Sequence, residues 1–245
     1  MRHLADPLLW AALSLAAITF AMPALSPIFA RLYPEIVPPV YARDGFAALL
    51  LSHAVLVAVP AIVTAIVGVG LAVAATRTGG GEVKALVEAG AVIGQAIPPV
   101  AVLAVAVPAI GFGAVPTMVA LAIYGLLPVV ENAVAGLRGV PPAVREAATA
   151  MGFTPAQVLW RVELPLAAPA ILNGLRLSVI VNIGTAAIGA TVGARTLGMP
   201  IVTGLVVNKP SYVIQGAVVL ALFAIVADLA FDRVAARFAR HRRSD

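Results

Sequence analysis

The chain has 245 residues, of which 62% are hydrophobic and 11% are charged, and its net charge is +5. This composition excludes a soluble domain with a solvated surface, and it leaves no length for a separate soluble enzyme domain. The absence of cysteine excludes disulfides, thiolate metal sites and a cysteine nucleophile. The basic residues flank apolar segments instead of forming one patch, so the charge does not indicate a nucleic-acid partner.

Long apolar segments predict an all-α membrane protein with six spanning helices. Each crossing needs roughly 20 apolar residues, and the first uncharged stretch, residues 8–30, exceeds the apolar region of a signal peptide. We expect a spanning helix there, kinked at Pro23 and Pro27. A proline-rich connection follows over residues 31–45, and a second span is predicted over residues 46–75.

The next uncharged stretch, residues 89–130, is about twice as long as one crossing of the hydrocarbon core requires. The sequence Gly111-Phe112-Gly113 is the natural break between two spans. A charged loop then extends from Glu131 to about Pro169. The third to sixth spans are predicted at residues 89–110, 114–130, 170–194 and 212–231.

The distribution of positive charge predicts the orientation. Six spans place both termini on one side, and with the termini in the cytoplasm twelve of the sixteen Lys and Arg residues are cytoplasmic. Positive residues near spans are retained there, so the asymmetry predicts an N-in, C-in topology. The four outer residues are Arg31, Arg43, Arg195 and Lys209. The predicted domains are an N-terminal helix with its outer connection (1–45), a membrane core (46–235) with a cytoplasmic loop at about 136–169, and a basic tail (236–245).

The cytoplasmic loop contains the signals of two short helices. Two prolines at 141–142 suit the first turn of a helix, where a missing N–H matters little, and Gly152 suits its end. Thr154, Pro155 and Gln157 predict a capping box at which a second short helix begins. Pro165 and Pro169 are expected to limit how far this helix continues. We expect a helix-turn-helix elbow outside the membrane. Small alanines on one face would let another protein approach closely.

The same loop resembles that of a known family. Glu146-Ala147-Ala148, three residues, Gly152, nine residues, Val162, one residue and Leu164-Pro165 match the EAA loop of binding-protein-dependent importer permeases. Val162 replaces the more usual isoleucine. The resemblance implies the transmembrane domain of a type I (MetI-like) ATP-binding-cassette importer. It also implies that the elbow is a coupling helix seated in a cleft of an ATPase subunit. The coupling residues would be Glu146, Ala147, Ala148, Gly152, Leu164 and Pro165.

Other segments resemble the glycine betaine and choline branch of this family. These are residues 94–99 (Gly-Gln-Ala-Ile-Pro-Pro), Gly111-Phe112-Gly113, and residues 182–198 with their glycines. The extra first helix and its connection look most like low-affinity betaine-type members, whereas Glu131-Asn132-Ala133 departs from the branch pattern. The implied substrate is a small zwitterionic osmoprotectant such as glycine betaine. Another quaternary amine or an amino acid is the alternative substrate.

The resemblance also implies partners and a location. No G-x-x-x-x-G-K-[ST] segment is present, so ATP hydrolysis is expected on a partner ATPase subunit and not on this chain. The expected assembly lies in membrane lipid of the bacterial inner membrane. The assembly is expected to include an extracytoplasmic solute-binding protein and a second permease subunit, which we expect to be a different chain. No catalytic residue, cofactor or metal is expected.

Four polar residues are candidates for a translocation path. His53 lies seven residues into the second span, and intramembrane ionisable groups are candidates by default. A neutral imidazole that bonds a neighbouring helix is the favoured interpretation. Gln95 and Asn182 either line a polar path or hold helices together, and Thr185 is a small polar neighbour.

Two other classes of membrane protein compete with the importer permease. A secondary transporter driven by an ion gradient would need buried carboxylates at the midplane, and no Asp or Glu lies deep in a predicted span. A membrane scaffold or sensor would account for the helices. It would not account for the spacing from Glu146 to Pro165.

Overall fold

A computed structural model describes residues 6–77, 89–90 and 97–241, with side chains described as far as residue 236. All regular secondary structure of the described residues is helical, and these residues contain no strand. Five helical segments are long and apolar enough to cross a membrane, and the shorter helix Pro99–Ile110 is also apolar. The five segments are Pro7–Leu32, Phe46–Arg77, Ala114–Arg138, Pro155–Val192 and Pro210–Ala236.

The first segment is interrupted where its prolines lie. Helix α1 (Pro7–Ala21) is followed by a 3₁₀ turn (Met22–Leu25) and then by α2 (Ser26–Leu32). The carboxylate of Asp6 accepts a hydrogen bond from the Leu8 N–H at 3.1 Å, so it caps the start of α1. The interruption confirms the prediction at Pro23, which cannot donate to the helical ladder.

The connection after α2 is attached to a later helix by backbone and side-chain hydrogen bonds. Gln215 Oε1 accepts from the Tyr41 N–H at 3.0 Å, and Gln215 Nε2 donates to the Pro39 carbonyl at 2.9 Å. Burial and the nearby Asp44 carboxylate raise the pKa of the Tyr41 hydroxyl. The hydroxyl therefore stays protonated and donates to Asp44 Oδ2 at 3.3 Å.

The second span is the unbroken helix α3 (Phe46–Arg77), two residues longer than predicted. The third span, predicted over 89–110, is described as α4 (Pro99–Ile110), and residues 91–96 lie outside the described chain. The six-span count and the orientation therefore stay predictions. After α4, Gly111 and Gly113 have φ of +87° and +111°, which glycine adopts readily, and this confirms the predicted break.

Helix α5 (Ala114–Arg138) continues eight residues beyond the predicted end at 130. The apolar side of the helix persists there, since Ala133, Val134 and Leu137 are buried in a hydrophobic cluster. Glu131 lies on the exposed face. The prediction of a loop from Glu131 was therefore wrong, because one charge on a solvated face does not end a helix.

Two short helices and one long helix follow. Helix α6 (Pro142–Ala150) and helix α7 (Pro155–Val158) precede a π-helical turn (Leu159–Glu163), which leads directly into α8 (Leu164–Ala186).

The prediction that Pro165 and Pro169 stop the helix was wrong. The Leu164 N–H donates to the Leu159 carbonyl, five residues back, so the turn before Pro165 is wider than an α-helical turn. A proline ring would meet the carbonyl four residues earlier in a regular α-helix. The wider turn relieves that contact, and Pro169 is accommodated within α8.

The connection between the predicted fifth and sixth spans contains a helix. The α-helix gives way at Ala187–Val192 to a 3₁₀ helix, Gly193 adopts φ of +82°, and α9 (Gly198–Val206) follows. The last helix, α10 (Pro210–His241), is also longer than the predicted 212–231.

Within its described residues the chain forms two compact units, each with its own hydrophobic core. Unit one comprises residues 6–60, 98–121 and 180–230, and unit two comprises residues 61–77, 89–90, 97, 122–179 and 231–241. The core of unit one includes Leu15, Met22, Phe46, Leu49, Leu197 and Val219. The core of unit two includes Ala72, Val130, Ala133, Leu137 and Ala167.

Candidate functional site

The elbow, residues 140–160, begins with the two short helices that its sequence predicts. Pro142 is the first residue of α6, and Gly152 follows the end of this helix with φ of +86°. The Gly152 N–H donates to the Thr149 carbonyl at 2.9 Å, and the Phe153 N–H donates to the Ala148 carbonyl at 3.1 Å. These bonds satisfy carbonyls that the helix end would otherwise leave unpaired.

The second helix of the elbow begins with the predicted capping box. Thr154 Oγ1 accepts from the Gln157 N–H at 3.3 Å, and Gln157 Oε1 accepts from the Thr154 N–H at 2.8 Å. Two otherwise unpaired backbone donors are thereby satisfied reciprocally. The turn between α6 and α7 is consequently fixed at both sides, by Gly152 before it and by Thr154 after it.

The residues of the EAA pattern divide into an exposed set and a packed set. Glu146, Ala147 and Gly152 are exposed, whereas Ala148 is buried. Leu164 packs against the core of unit two, and Pro165 is exposed.

Large apolar side chains beside this pattern are also exposed. Met151 and Trp160 are each 70% exposed, and Val144 is 38% exposed. These side chains were not among the residues predicted from the sequence. A tryptophan and a methionine in a charged loop are nevertheless a signal, since both are enriched at protein interfaces. The elbow thus presents Glu146 and Ala147 together with apolar anchors.

A buried carboxylate beside the elbow was also missed. Glu163 is 5% exposed and forms ion pairs with two arginines. Arg145 Nε lies 2.9 Å from Glu163 Oε1, and Arg77 Nη2 pairs with Oε2 of the same carboxylate. The signal in the sequence was Glu163 itself, an acid directly before Leu164-Pro165 where a helix enters apolar sequence.

In unit one, the structure places His53 between two backbone groups. The His53 Nε2 lies 3.0 Å from the Ile183 carbonyl oxygen, and Nδ1 lies 3.2 Å from the Leu197 nitrogen. A carbonyl only accepts and an amide N–H only donates, so this arrangement fits the neutral tautomer protonated at Nε2. The ring also contacts Phe223 edge to face, with centroids 5.9 Å apart.

The other path candidates are placed differently. Asn182 is fully buried, its Nδ2 donates to the Leu121 carbonyl at 3.0 Å, and its Oδ1 accepts no hydrogen bond from the described residues. Thr185 is half-buried and donates to the Val181 carbonyl of its own helix at 3.0 Å. Gln95 lies outside the described residues. His53 contacts α8 at the carbonyl of Ile183, the residue after Asn182. The path role of all four residues stays a prediction.

The long apolar helices, with the elbow between two of them, define a protein that is embedded in a membrane. The family described as "Binding-protein-dependent transport system inner membrane component" matches residues 66–240. The chain belongs to this family. It is a multi-pass inner membrane protein and a translocation subunit without a catalytic role, as the sequence predicted.

Relatives and a solved structure agree with this assignment. The choline transport system permease protein OpuBB of Bacillus subtilis (strain 168) is 39% identical over 178 residues, which cover 72% of this chain and 80% of that protein. The glycine betaine/carnitine/choline transport system permease protein OpuCB of the same strain is 40% identical over 168 residues, which cover 66% of this chain and 74% of that protein. The MetNI methionine ABC transporter in an inward-facing conformation matches with a TM-score of 0.67 and 23% identity. The match covers 77% of this chain and 93% of that chain, and it confirms the MetI-like fold.

Proposed function

We propose that this chain is the permease subunit of an ATP-driven importer that moves a small zwitterionic osmoprotectant of the glycine betaine class across the inner membrane. The observation that carries the proposal is the elbow, which has the complete EAA spacing and an exposed face in a member of the binding-protein-dependent family. The substrate class is supported by relatives about 40% identical that are named for choline, carnitine and glycine betaine transport.

The elbow is the docking surface for the ATPase subunit in this proposal. Glu146, Ala147 and Gly152 form its small, exposed side, while Met151 and Trp160 supply apolar contact area. Large apolar side chains surrounded by small and polar groups are typical of interface anchors. Ala148 and Leu164 are packed and serve to hold the elbow on the spanning helices, while Pro165 is exposed at the start of α8.

The proposed assembly contains further subunits. An extracytoplasmic binding protein selects the solute, and a second permease subunit of different sequence completes the translocation path. The termini and the elbow lie in the cytoplasm in this arrangement, which the excess of basic residues on that side supports.

The polar groups in the spans suit a solute without net charge. Among the described residues Glu163 is the one buried carboxylate, and it is paired with arginines beside the elbow. A solute with a bare charge would need a partner in a low-dielectric span. We assign Asn182 and Thr185 to the path, because Oδ1 of Asn182 is unused by the described residues. His53 instead holds backbone segments together, since both ring nitrogens have protein partners.

Uptake by the complete complex tests the proposal. Vesicles that contain both permeases and the ATPase, supplied with the binding protein, should accumulate labelled glycine betaine only when ATP is present. Choline, proline and phosphate serve as competing solutes. Accumulation of phosphate without betaine would remove the substrate assignment and leave the permease assignment. Betaine uptake that follows an ion gradient without ATP would favour the secondary transporter.

A further inference from the structure

The ion pairs around Glu163 connect the elbow to three long helices of unit two. Arg77 is the last residue of α3, Arg145 lies in α6 next to Glu146, and Glu163 directly precedes α8. Arg145 Nη2 also donates to the Leu137 carbonyl of α5 at 2.6 Å. One arginine of the elbow therefore contacts groups at the ends of two spanning helices, and its carboxylate partner contacts a third.

The helices that receive these contacts are packed closely. A Cβ added at Gly136 of α5 would lie 2.8 Å from Ala170 Cβ, and one added at Gly174 of α8 would lie 2.6 Å from the Pro128 carbonyl oxygen. Backbones that approach so closely leave little freedom for sliding. The ion pairs thus attach the elbow to a rigid pair of helices.

Burial gives these ion pairs a role in geometry more than in stability. An ionised carboxylate is costly to bury unless opposite charges compensate it, and a well-packed apolar replacement is often as stable. Apolar contacts are non-directional, whereas guanidinium groups on both sides of one carboxylate fix its position and theirs. Glu163 therefore holds two arginines, on separate helices, in one arrangement.

We propose that Glu163, with Arg77 and Arg145, is the positioning device that makes the elbow move as one body with the adjoining ends of α3, α5 and α8. This inference rests on the proposed coupling function and assigns the transmission of movement to three residues that the EAA pattern does not specify. Without the carboxylate, Arg77 and Arg145 repel each other, and the elbow changes position independently of the spans.

The absence of native cysteine allows spin labels to be placed at will. Labels on Ala143→Cys in α6 and Ala74→Cys in α3, both at exposed positions, report the distance from the elbow to α3. In the assembled complex we expect one narrow distance distribution, unchanged by ATP binding. The Glu163→Gln variant should give a broad or double distribution. The matched control is Glu131→Gln, which removes an exposed carboxylate from α5 and should leave the distribution narrow.

Transport measurements provide the second readout. In Glu163→Gln, solute transported per ATP hydrolysed should fall roughly 2- to 30-fold, the range expected when coupling residues are changed. Arg145→Lys keeps the positive charge, so this variant should retain more coupling than Arg145→Gln. If the Glu163→Gln complex cannot be isolated, Arg77→Gln replaces it, because Arg77 is more exposed and lies outside the elbow.

The distances between the spin labels test this inference independently of the proposed substrate. If wild-type vesicles fail to accumulate betaine, the substrate assignment fails, and the distances in the ATPase-bound complex still decide the role of Glu163. A narrow distribution in Glu163→Gln or Arg77→Gln, with the wild-type ratio of transport to hydrolysis, would overturn the inference. A broad distribution with a lowered ratio supports it.

Discussion

His53 Nδ1 accepts a hydrogen bond from the backbone N–H of Leu197 at 3.2 Å, although 144 residues separate them. The adjacent Ser52 Oγ donates to the Arg195 carbonyl at 2.7 Å, and Arg195 Nη2 lies 2.7 Å from Asp44 Oδ1. The turn that leads into α9 is therefore fixed by consecutive residues of α3. A non-helical backbone within apolar surroundings needs such partners, because lipid offers none.

Replacement of His53 should show what these bonds contribute. His53→Leu removes the hydrogen bond to the Ile183 carbonyl and leaves the Leu197 N–H without its partner, and an unsatisfied buried group costs about 1–3 kcal/mol. We expect a clearly lower midpoint in thermal unfolding of the detergent-purified complex. His53→Gln retains a donor and an acceptor and should lose less. Equal midpoints for Leu and Gln would show that the hydrogen bonds do not hold the turn.

Trp160 offers a direct test of the docking surface. A buried tryptophan anchor contributes about 2 kcal/mol or more to an interface, so Trp160→Ala should weaken ATPase binding roughly 30-fold. The measurement is the affinity of the ATPase subunit for the permease in nanodiscs. The chain offers a matched control, because Trp10 is its other tryptophan and is also exposed, on α1. Trp10→Ala should bind the ATPase normally, and equal losses in both variants would contradict the assignment.

The effect of replacing Gly152 should depend on how readily the new residue adopts a positive φ. Its φ is +86°, and a Cβ added there meets nothing within 4 Å, so strain and not crowding decides the effect within the described structure. Gly152→Asn should retain most transport, since asparagine enters the left-handed region more readily. Gly152→Val should lower betaine uptake and ATPase stimulation, and Gly152→Trp should abolish coupling while the protein still inserts. Normal uptake in the tryptophan variant would exclude a coupling role for this turn.

The orientation can be checked with reporter fusions. The asymmetry of twelve basic residues against four predicts a cytoplasmic C-terminus. An enzyme active only in the cytoplasm should work when fused after Arg243, and one active only outside should work when inserted near Pro39 or Val207. A C-terminus reported outside the cytoplasm would refute the six-span topology.

The elbow could be predicted in detail because its signals are local. The capping box at Thr154 and the left-handed turn at Gly152 each depend on residues within five positions of each other. The ion pairs of Glu163 depend on Arg77, which is 86 positions earlier in the chain, and no local pattern joins the two.

Helix α9 was missed for a related reason. Gly198, Pro200 and Gly204 lie in the connection between the predicted fifth and sixth spans, yet all three are buried in this helix. Glycine there serves close approach between segments, which depends on tertiary contacts that the sequence does not show. The same limit applies to Pro165, because the widened turn that admits it is formed by the five residues before it.

Gly198 and Gly70 form a pair of glycines with opposite predicted responses to alanine. A Cβ on Gly198 would lie 2.0 Å from the Ala187 carbonyl oxygen, whereas one on Gly70 of α3 meets nothing within 4 Å. The carbonyl belongs to the backbone and cannot rotate aside, so Gly198→Ala must displace the turn that His53 holds. We expect a loss of about 1–3 kcal/mol or more in stability and a decrease in betaine uptake.

Gly70→Ala should be neutral or slightly stabilising, since alanine has the higher helix propensity and the site has space. Thermal unfolding of the two variants, purified in the same detergent, provides the comparison, and uptake in vesicles shows whether the displaced turn affects transport. If Gly198→Ala unfolds at the wild-type temperature, the close approach of α9 to Ala187 does not exist in the membrane. If the Gly198→Ala variant is destabilised but transports normally, the turn before α9 contributes to the fold alone. The hydrogen bonds from Ser52 and His53 then stabilise the protein without positioning the translocation path.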